Sequence, residues 1–95
     1  MSELLTKLSQ HALDESLNHL NGWELVDGKL HKEIKFKDFI SAFAFMTRVA
    51  MVAERDNHHP EWCNIYNRVV IDLVTHESGG ITQKDIKMAN FIDSI

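Results

Sequence analysis

Hydrophobic residues recur at helical spacing in three segments of the chain, and they partly alternate with polar residues in the segments between. In the first segment, Ser9 is a good helix N-cap, and Leu8 and Leu13 occupy the N′ and N4 positions of a hydrophobic staple. Further leucines continue one helical face as far as Leu20. The sequence "NGW" at 21–23 ends this predicted helix, because glycine is permissive just past a helix C-terminus.

An Asp-Gly pair at 27–28 separates two partly alternating segments, which is a strong signal for a β-hairpin. The pattern predicts strands at about 23–26 and 29–36, with Leu30 and Ile34 on the same face. The chain therefore turns back on itself soon after the first helix.

A second hairpin and a final helix are predicted further along the chain. Residues 62–66 form a short predicted strand, 67–68 a tight turn, and "VVIDLVTH" at 69–76 a longer strand. Thr82 caps the last helix, and Asp85 at N3 makes a near capping box.

The apolar segment between the two hairpins predicts a long helix over about 38–55. Its apolar side chains form two stripes, and the second is rotated away from the first. One stripe would suffice to cover a sheet, so two stripes indicate that the helix is buried on two sides. The second surface is predicted to be a subunit contact; the alternative is a deeper core with scattered exposed apolar residues. The first stripe contains Phe39, Phe43, Met46, Ala50 and Ala53, and the second contains Phe45, Val49 and Val52.

The predicted element order is α-β-β-α-β-β-α. Hairpins favour antiparallel pairing, so we expect an α+β, two-layer fold: a four-stranded antiparallel sheet with three helices on one face. The 95 residues suit one domain over 1–95.

Composition narrows the function classes. A net charge of −4 leaves no basic groove, so we expect no direct nucleic-acid binding. The single cysteine, Cys63, cannot form an internal disulfide or a cysteine-pair zinc motif. We expect no membrane segment and no signal peptide, because no long apolar stretch is present, and we expect a cytoplasmic protein.

Residues 54–62 read "ERDNHHPEW", and the histidine pair admits three interpretations. A zinc site would take His58, His59 and a third histidine, His76, with Glu54 or Glu61. The geometry is unfavourable, because neighbouring residues of an extended chain point to opposite sides and no HExxH spacing is present. We therefore expect no metal.

The other two interpretations are a metal-free acid–base site and a structural corner. Imidazole titrates near neutral pH, so one histidine can accept a proton while another donates one. Glu54 could then hold a histidine tautomer, and Trp62 could supply an apolar wall. In the structural interpretation His58 and His59 cap the long helix, which Pro60 prevents from continuing.

The segment "AERDNHHPEWCNIYNRVVIDLVTHESGGIT" resembles the signature of the pterin-4a-carbinolamine dehydratases, also called dimerisation cofactors of a hepatocyte nuclear factor. The upstream "GW", "DGKL" and "FKDFISAFAFMTRVA" also resemble this family, so the resemblance covers nearly the whole chain. The matching positions are Glu54, His58, His59, Pro60, Tyr66, His76 and Asp85.

The resemblance implies an enzyme that eliminates water from a 4a-hydroxytetrahydropterin, the pterin product of an aromatic amino acid hydroxylase, in tetrahydrobiopterin recycling. The product is the quinonoid dihydropterin, and no metal or organic cofactor is implied. By similarity, His58 and His76 transfer protons at N5 and the 4a-hydroxyl, and His59 binds and orients the substrate. Glu54 supports the site, and Thr75 contacts the flat ring.

The resemblance also bears on the supporting residues and implies a second function. Many relatives carry Asp where this chain has Asn57, so we expect the dehydration rate to be altered but not abolished. Trp62 and Asp85 are expected to support the site. The family implies a homodimer or homotetramer. The alternative function is a protein-interaction or transcriptional cofactor module, since relatives in animals bind a transcription factor; pterin binding without catalysis is a third.

Overall fold

The computed structural model describes residues 5–95 and confirms the predicted α-β-β-α-β-β-α order. A 3-10 turn separates the last strand from the last helix. The elements are α1 (Gln10–Leu17), β1 (Glu24–Val26), β2 (Lys29–Lys35), α2 (Phe39–Asp56), β3 (Glu61–Ile65), β4 (Arg68–Leu73), the 3-10 turn (His76–Ser78) and α3 (Gln83–Ser94).

The four strands form one antiparallel sheet in the order β1-β2-β4-β3, so β4 lies between the two hairpins. Leu30 pairs with Leu73, and Trp62 pairs with Ile71. Directly paired residues share a face, and these four face the helices. The other face, here called the outer face, carries the row His31, Asp72 and Glu61.

The helices cover the inner face of the sheet and form the core with it. Each helix contributes buried apolar side chains at helical spacing, as expected for elements that bury one face. None of the helices in the described part of the chain is long and apolar enough to cross a membrane. The buried apolar side chains are Leu13, Trp23, Leu30, Ala42, Phe45, Val49, Ala53, Val69, Ile71, Leu73, Ile81, Ile86, Met88, Ala89 and Ile92.

Helix α1 begins as predicted and ends earlier than predicted. The Ser9 hydroxyl accepts a hydrogen bond from the Ala12 amide. The helix ends at Leu17 rather than at 21–23, because the next amides form tighter i→i−3 bonds, such as that from Leu20 N to Leu17 O. Leu20 still packs against the core from this turn, which explains why its spacing resembled helix.

Helix α2 buries one of its two predicted stripes. Phe45 and Val49 are buried against the sheet, whereas Phe39 and Phe43 are 47% and 54% exposed. Ala53 was assigned to the first stripe but is buried with the second. The prediction of a subunit contact through the second stripe is therefore wrong, because that stripe packs into the core and the first stripe is the exposed one.

The second hairpin differs from its prediction at both ends. Its turn lies at residues 66–67 rather than 67–68, and Tyr66 has φ of 51°. Strand β4 ends at Leu73, because the Thr75 amide bonds to the Gly80 carbonyl at 3.0 Å instead of continuing along β2. His76, which was predicted to lie in this strand, begins the 3-10 turn.

Candidate active site

The histidine pair follows a backbone cap at the end of α2. Asn57 adopts the left-handed conformation with φ of 50°. Its amide bonds to Glu54 O at 3.3 Å, and the next amide, of His58, bonds to Ala53 O at 3.0 Å. These two bonds form a Schellman motif, which satisfies the last helical carbonyls and reverses the chain direction. The structural interpretation is therefore correct only in part: Asn57 is the cap residue, the His58 amide contributes one bond, and the two imidazoles make other contacts.

The imidazole of His58 lies inside the domain against a buried carboxylate. His58 is 8% exposed and Asp85 is fully buried. Nε2 of His58 lies 2.6 Å from Oδ1 of Asp85, the N3 residue of α3. A buried carboxylate is costly unless it is paired and hydrogen-bonded, so its partners determine its orientation.

The other oxygen of Asp85 is held by two threonines. Oδ2 accepts hydrogen bonds from the Thr75 hydroxyl at 2.7 Å and from the Thr82 amide at 2.9 Å. The two hydroxyls lie 2.8 Å apart, and the Thr82 hydroxyl accepts from the Lys84 amide. Because the Thr75 hydroxyl donates to Asp85, the Thr82 hydroxyl donates to Thr75. Every donor in this buried network points toward Asp85.

This network fixes the tautomer of a neutral His58. A carboxylate is only an acceptor, so Nε2 of His58 carries the hydrogen and Nδ1 carries the lone pair. Nδ1 has no hydrogen-bond partner among residues 5–95, although no buried side-chain nitrogen or oxygen in that range lacks one. Nδ1 therefore reaches solvent.

A cavity of about 170 Å³ lies beside His58. It provides space for a ligand beside the His58 side chain. Two ammonium groups and one carboxylate give its mouth a net positive charge, and Met88 supplies an apolar wall. The lining residues are Asp56, His58, Lys84, Lys87 and Met88.

The second histidine, His59, has the opposite environment. Its Nε2 lies 2.8 Å from Oε1 of Glu54, one turn back in α2. The two side chains are 56% and 83% exposed. Glu54 was expected from the sequence to hold a histidine tautomer, and it lies against His59. An exposed pair of this kind orients the ring only weakly.

The third histidine, His76, contacts Glu61, which was considered from the sequence only as a possible zinc ligand. Nε2 of His76 lies 2.8 Å from Oε2 of Glu61, and Oε1 of Glu61 accepts a 2.5 Å hydrogen bond from Lys29. Hydrogen bonds from Lys29 and His76 lower the pKa of Glu61 below its ordinary value, and the bond to Glu61 raises the pKa of Lys29. The carboxylate is therefore ionised at neutral pH.

The remaining predicted site residues have three different environments. Thr75, expected to contact a ring, is 1% exposed and bonds to Asp85 and Thr82. Asn57 is exposed and makes no side-chain hydrogen bond within 5–95. Trp62 lies under α2, because its register with Ile71 turns it to the inner face. It lines a separate groove with Phe43, Met46, Thr47 and Ala50.

Three histidines therefore meet three different carboxylates, and they do not share one. No group of three or more His, Cys, Asp or Glu side chains within residues 5–95 is arranged to hold a metal ion. The arrangement provides imidazoles with one nitrogen fixed by a carboxylate and the other available. Such groups accept and donate protons near neutral pH.

Comparisons with known proteins agree on one family. A family model described as "Pterin 4 alpha carbinolamine dehydratase" matches residues 6–95. A protein of Solibacter usitatus (strain Ellin6076), named "Putative pterin-4-alpha-carbinolamine dehydratase", is 52% identical over 92 residues, 97% of each chain. A protein of the same name from Synechococcus sp. (strain WH7803) is 45% identical over 95 residues, covering 100% of this chain and 99% of its own.

One solved structure has the same fold at high similarity. It is described as the crystal structure of a transcriptional coactivator/pterin dehydratase from Brucella melitensis. It matches this chain with a TM-score of 0.90 and 45% identity, covering 94% of this chain and 97% of that one.

Proposed function

The chain belongs to the pterin 4 alpha carbinolamine dehydratase family, and we propose that it eliminates water from a 4a-hydroxytetrahydropterin to give the quinonoid dihydropterin. In this reaction a base removes the proton from N5 and an acid protonates the 4a-hydroxyl. The C4a–O bond breaks, water leaves, and the C4a–N5 double bond forms. Two groups that exchange protons near neutral pH are therefore required.

The fixed geometry of His58 is the observation that carries this proposal. Its Nε2 is bound to the buried Asp85, and its Nδ1 reaches solvent beside a cavity. Prepositioning of a proton-transfer group lowers the entropic cost of reaching the transition state. A histidine with a merely structural role would not need one nitrogen left available.

The other histidines complete the proposed site. His76 serves as the second proton-transfer group, and His59 binds and orients the pterin with support from Glu54. The configuration at C4a determines which of His58 and His76 acts as the acid and which acts as the base. Thr75 acts through Asp85 rather than on the ring, because its hydroxyl is buried in the network.

The proposed metabolic setting follows from the substrate. The 4a-hydroxypterin is formed when an aromatic amino acid hydroxylase uses its pterin, so that hydroxylase is the metabolic partner and the role is tetrahydrobiopterin recycling in the cytoplasm. The pterin is the substrate, and the proposed reaction uses no metal or organic cofactor.

The experiment is a direct dehydration assay. A hydroxylase generates the 4a-hydroxytetrahydropterin, and its disappearance is followed by absorbance with and without this protein. We expect the protein to accelerate the dehydration beyond the buffer rate. A rate equal to that in buffer contradicts the proposal.

A second candidate function, an interaction module, is favoured by the exposed apolar surface of α2. Four large apolar side chains there are between 47% and 77% exposed. An exposed apolar surface of this kind is typical of a protein–protein interaction site. The Brucella melitensis relative is described as a coactivator as well as a dehydratase. We propose that the main role of this surface is to form the subunit contacts of a homodimer or homotetramer. The four residues are Phe39, Ile40, Phe43 and Met51.

A further inference from the structure

The outer face of the sheet brings a lysine from the first hairpin to the carboxylate that contacts His76. Glu61 begins β3 and pairs with Asp72 across the ladder, and Lys29 begins β2. Lys29 and Glu61 are 32 residues apart in the chain. Oε1 of Glu61 bonds to Lys29, and Oε2 bonds to Nε2 of His76. Both carboxylate oxygens are therefore occupied, and one of them is occupied by the imidazole.

We propose that Lys29 and Glu61 are positioning residues for His76: Lys29 orients the Glu61 carboxylate, which holds the hydrogen on Nε2 of His76 and leaves Nδ1 to exchange a proton with the substrate. This inference rests on the proposed function and extends it to Lys29 and Glu61, to which the proposed proton transfer assigns no role.

The need for positioning follows from the exposure of His76. Its side chain is 73% exposed, whereas that of His58 is 9% exposed and fixed by a buried carboxylate. An exposed imidazole samples several rotamers, and a neutral one can carry its hydrogen on either nitrogen. A contact with an ionised acceptor selects one orientation and one tautomer, because a carboxylate cannot donate.

The charges around Glu61 keep it an acceptor over a wide pH range. Its hydrogen bonds from Lys29 and His76 lower its pKa, and Lys29 makes the larger contribution. Two further carboxylates act on Lys29 and raise its pKa, those of Asp72 and Asp27. Asp72 itself bonds to His31 at 2.8 Å, so it is not free to replace Glu61. Removing Lys29 would therefore raise the pKa of Glu61 toward its ordinary value of 4.5.

The solvent exposure of Glu61 and Lys29 limits how much their pairing can change kcat. Glu61 and Lys29 are 43% and 34% exposed, and exposed charge pairs contribute little. We therefore expect Glu61→Ala to lower kcat about two- to fivefold with KM nearly unchanged, since orientation matters most in the transition state. The matched control is Glu33→Ala, which breaks a pair with Arg68 of similar exposure elsewhere on the outer face, 48% and 42%.

Two readouts separate positioning from general stability. In mildly alkaline solution the ¹⁵N shifts of the His76 ring should report the Nε2–H form in the wild type. In Glu61→Ala they should move toward the values of a free imidazole, which is a mixture of the two tautomers. In Glu33→Ala they should stay unchanged. In Lys29→Met, kcat should fall by less than in Glu61→Ala, because the Glu61 carboxylate keeps its bond to His76 but loses the lysine that orients it.

The outcomes distinguish this inference from the function on which it rests. A wild-type protein without dehydratase activity overturns both. An active wild type whose Glu61→Ala variant keeps the same kcat and the same His76 ¹⁵N shifts overturns this inference alone. A change in kcat that Glu33→Ala reproduces also overturns it, because the effect then belongs to the sheet surface in general.

Discussion

Nε2 of His58 lies 2.6 Å from Oδ1 of Asp85, across 27 residues of sequence, and this contact joins the end of α2 to the first turn of α3. Asp85 also closes the capping box of α3 through the Thr82 amide. One carboxylate thus stabilises a helix N-terminus and orients an imidazole, so changes to it or its threonine partners should affect stability and activity together.

Thr75→Val should reveal this double role. The substitution removes a hydroxyl that donates to Asp85 and accepts from Thr82, while the side-chain volume hardly changes. We expect a loss of about 1–3 kcal/mol in the free energy of unfolding, since a buried hydrogen bond to a charged group is removed. Urea unfolding measures the change.

The matched control for Thr75→Val is Thr47→Val, which removes an exposed hydroxyl bonded to the Phe43 carbonyl of its own helix. It should change the unfolding free energy by less than about 0.5 kcal/mol. Equal losses in the two variants would contradict the importance assigned to the buried network.

Asn57 should matter for its backbone conformation more than for its side-chain chemistry. Its φ of 50° suits Asn and Gly but strains other residues. We expect Asn57→Ala to cost about 1 kcal/mol of stability and Asn57→Gly to be nearly neutral. Thermal unfolding of the two variants tests this, and a more stable Ala variant would be inconsistent with the cap.

Asp38 should contribute to the pH dependence of stability. Its carboxylate accepts the Ser41 amide as the N-cap of α2, and this hydrogen bond lowers the pKa of Asp38 below its ordinary value of 3.8. The folded pKa is below the unfolded one, so the stabilisation is present above the unfolded pKa and is lost as pH falls through the folded pKa.

Asp38→Asn therefore tests this pH dependence. Asn also caps helices well but does not titrate in this range, so the melting temperature of the variant should fall less on acidification than that of the wild type. Circular dichroism melts at neutral and at strongly acidic pH give the two slopes. Parallel slopes would rule out a titrating cap at this position.

The exposed surface of α2 predicts self-association. Phe43 is 54% exposed and lines a groove with Trp62 of the edge strand β3. Light scattering at micromolar concentration should give a mass above that of one chain, and Phe43→Asp should lower it. The control Glu24→Asp changes an exposed residue of the opposite edge strand β1. A monomeric wild type would contradict the prediction.

The sequence predicted the fold well because its signals are local. Each of these signals depends on neighbouring residues: the Asp27-Gly28 turn, the helix caps at Ser9 and Thr82, and the two hairpins. The errors arose where tertiary contacts decided the outcome. Leu20 packs against the core from outside α1, and a bridge from Thr75 to Gly80 ends β4 before His76.

The candidate site was predictable only in part for the same reason. The family resemblance identified the three imidazoles, and Glu54 could be paired with a histidine because it lies one helical turn before them. The pairing of Lys29 with Glu61 depends on the strand order β1-β2-β4-β3, which hairpin signals alone do not determine. The burial of Thr75 likewise depends on how α3 packs.

The dehydration rate of histidine variants tests the central claim most directly. His58→Ala and His76→Ala should each lower the rate of 4a-hydroxytetrahydropterin dehydration roughly 10²–10⁴-fold, the range expected for a lost proton-transfer group. His11→Ala, which changes an exposed histidine of α1, should keep the wild-type rate. A folded His58→Ala variant with the wild-type rate would contradict the account.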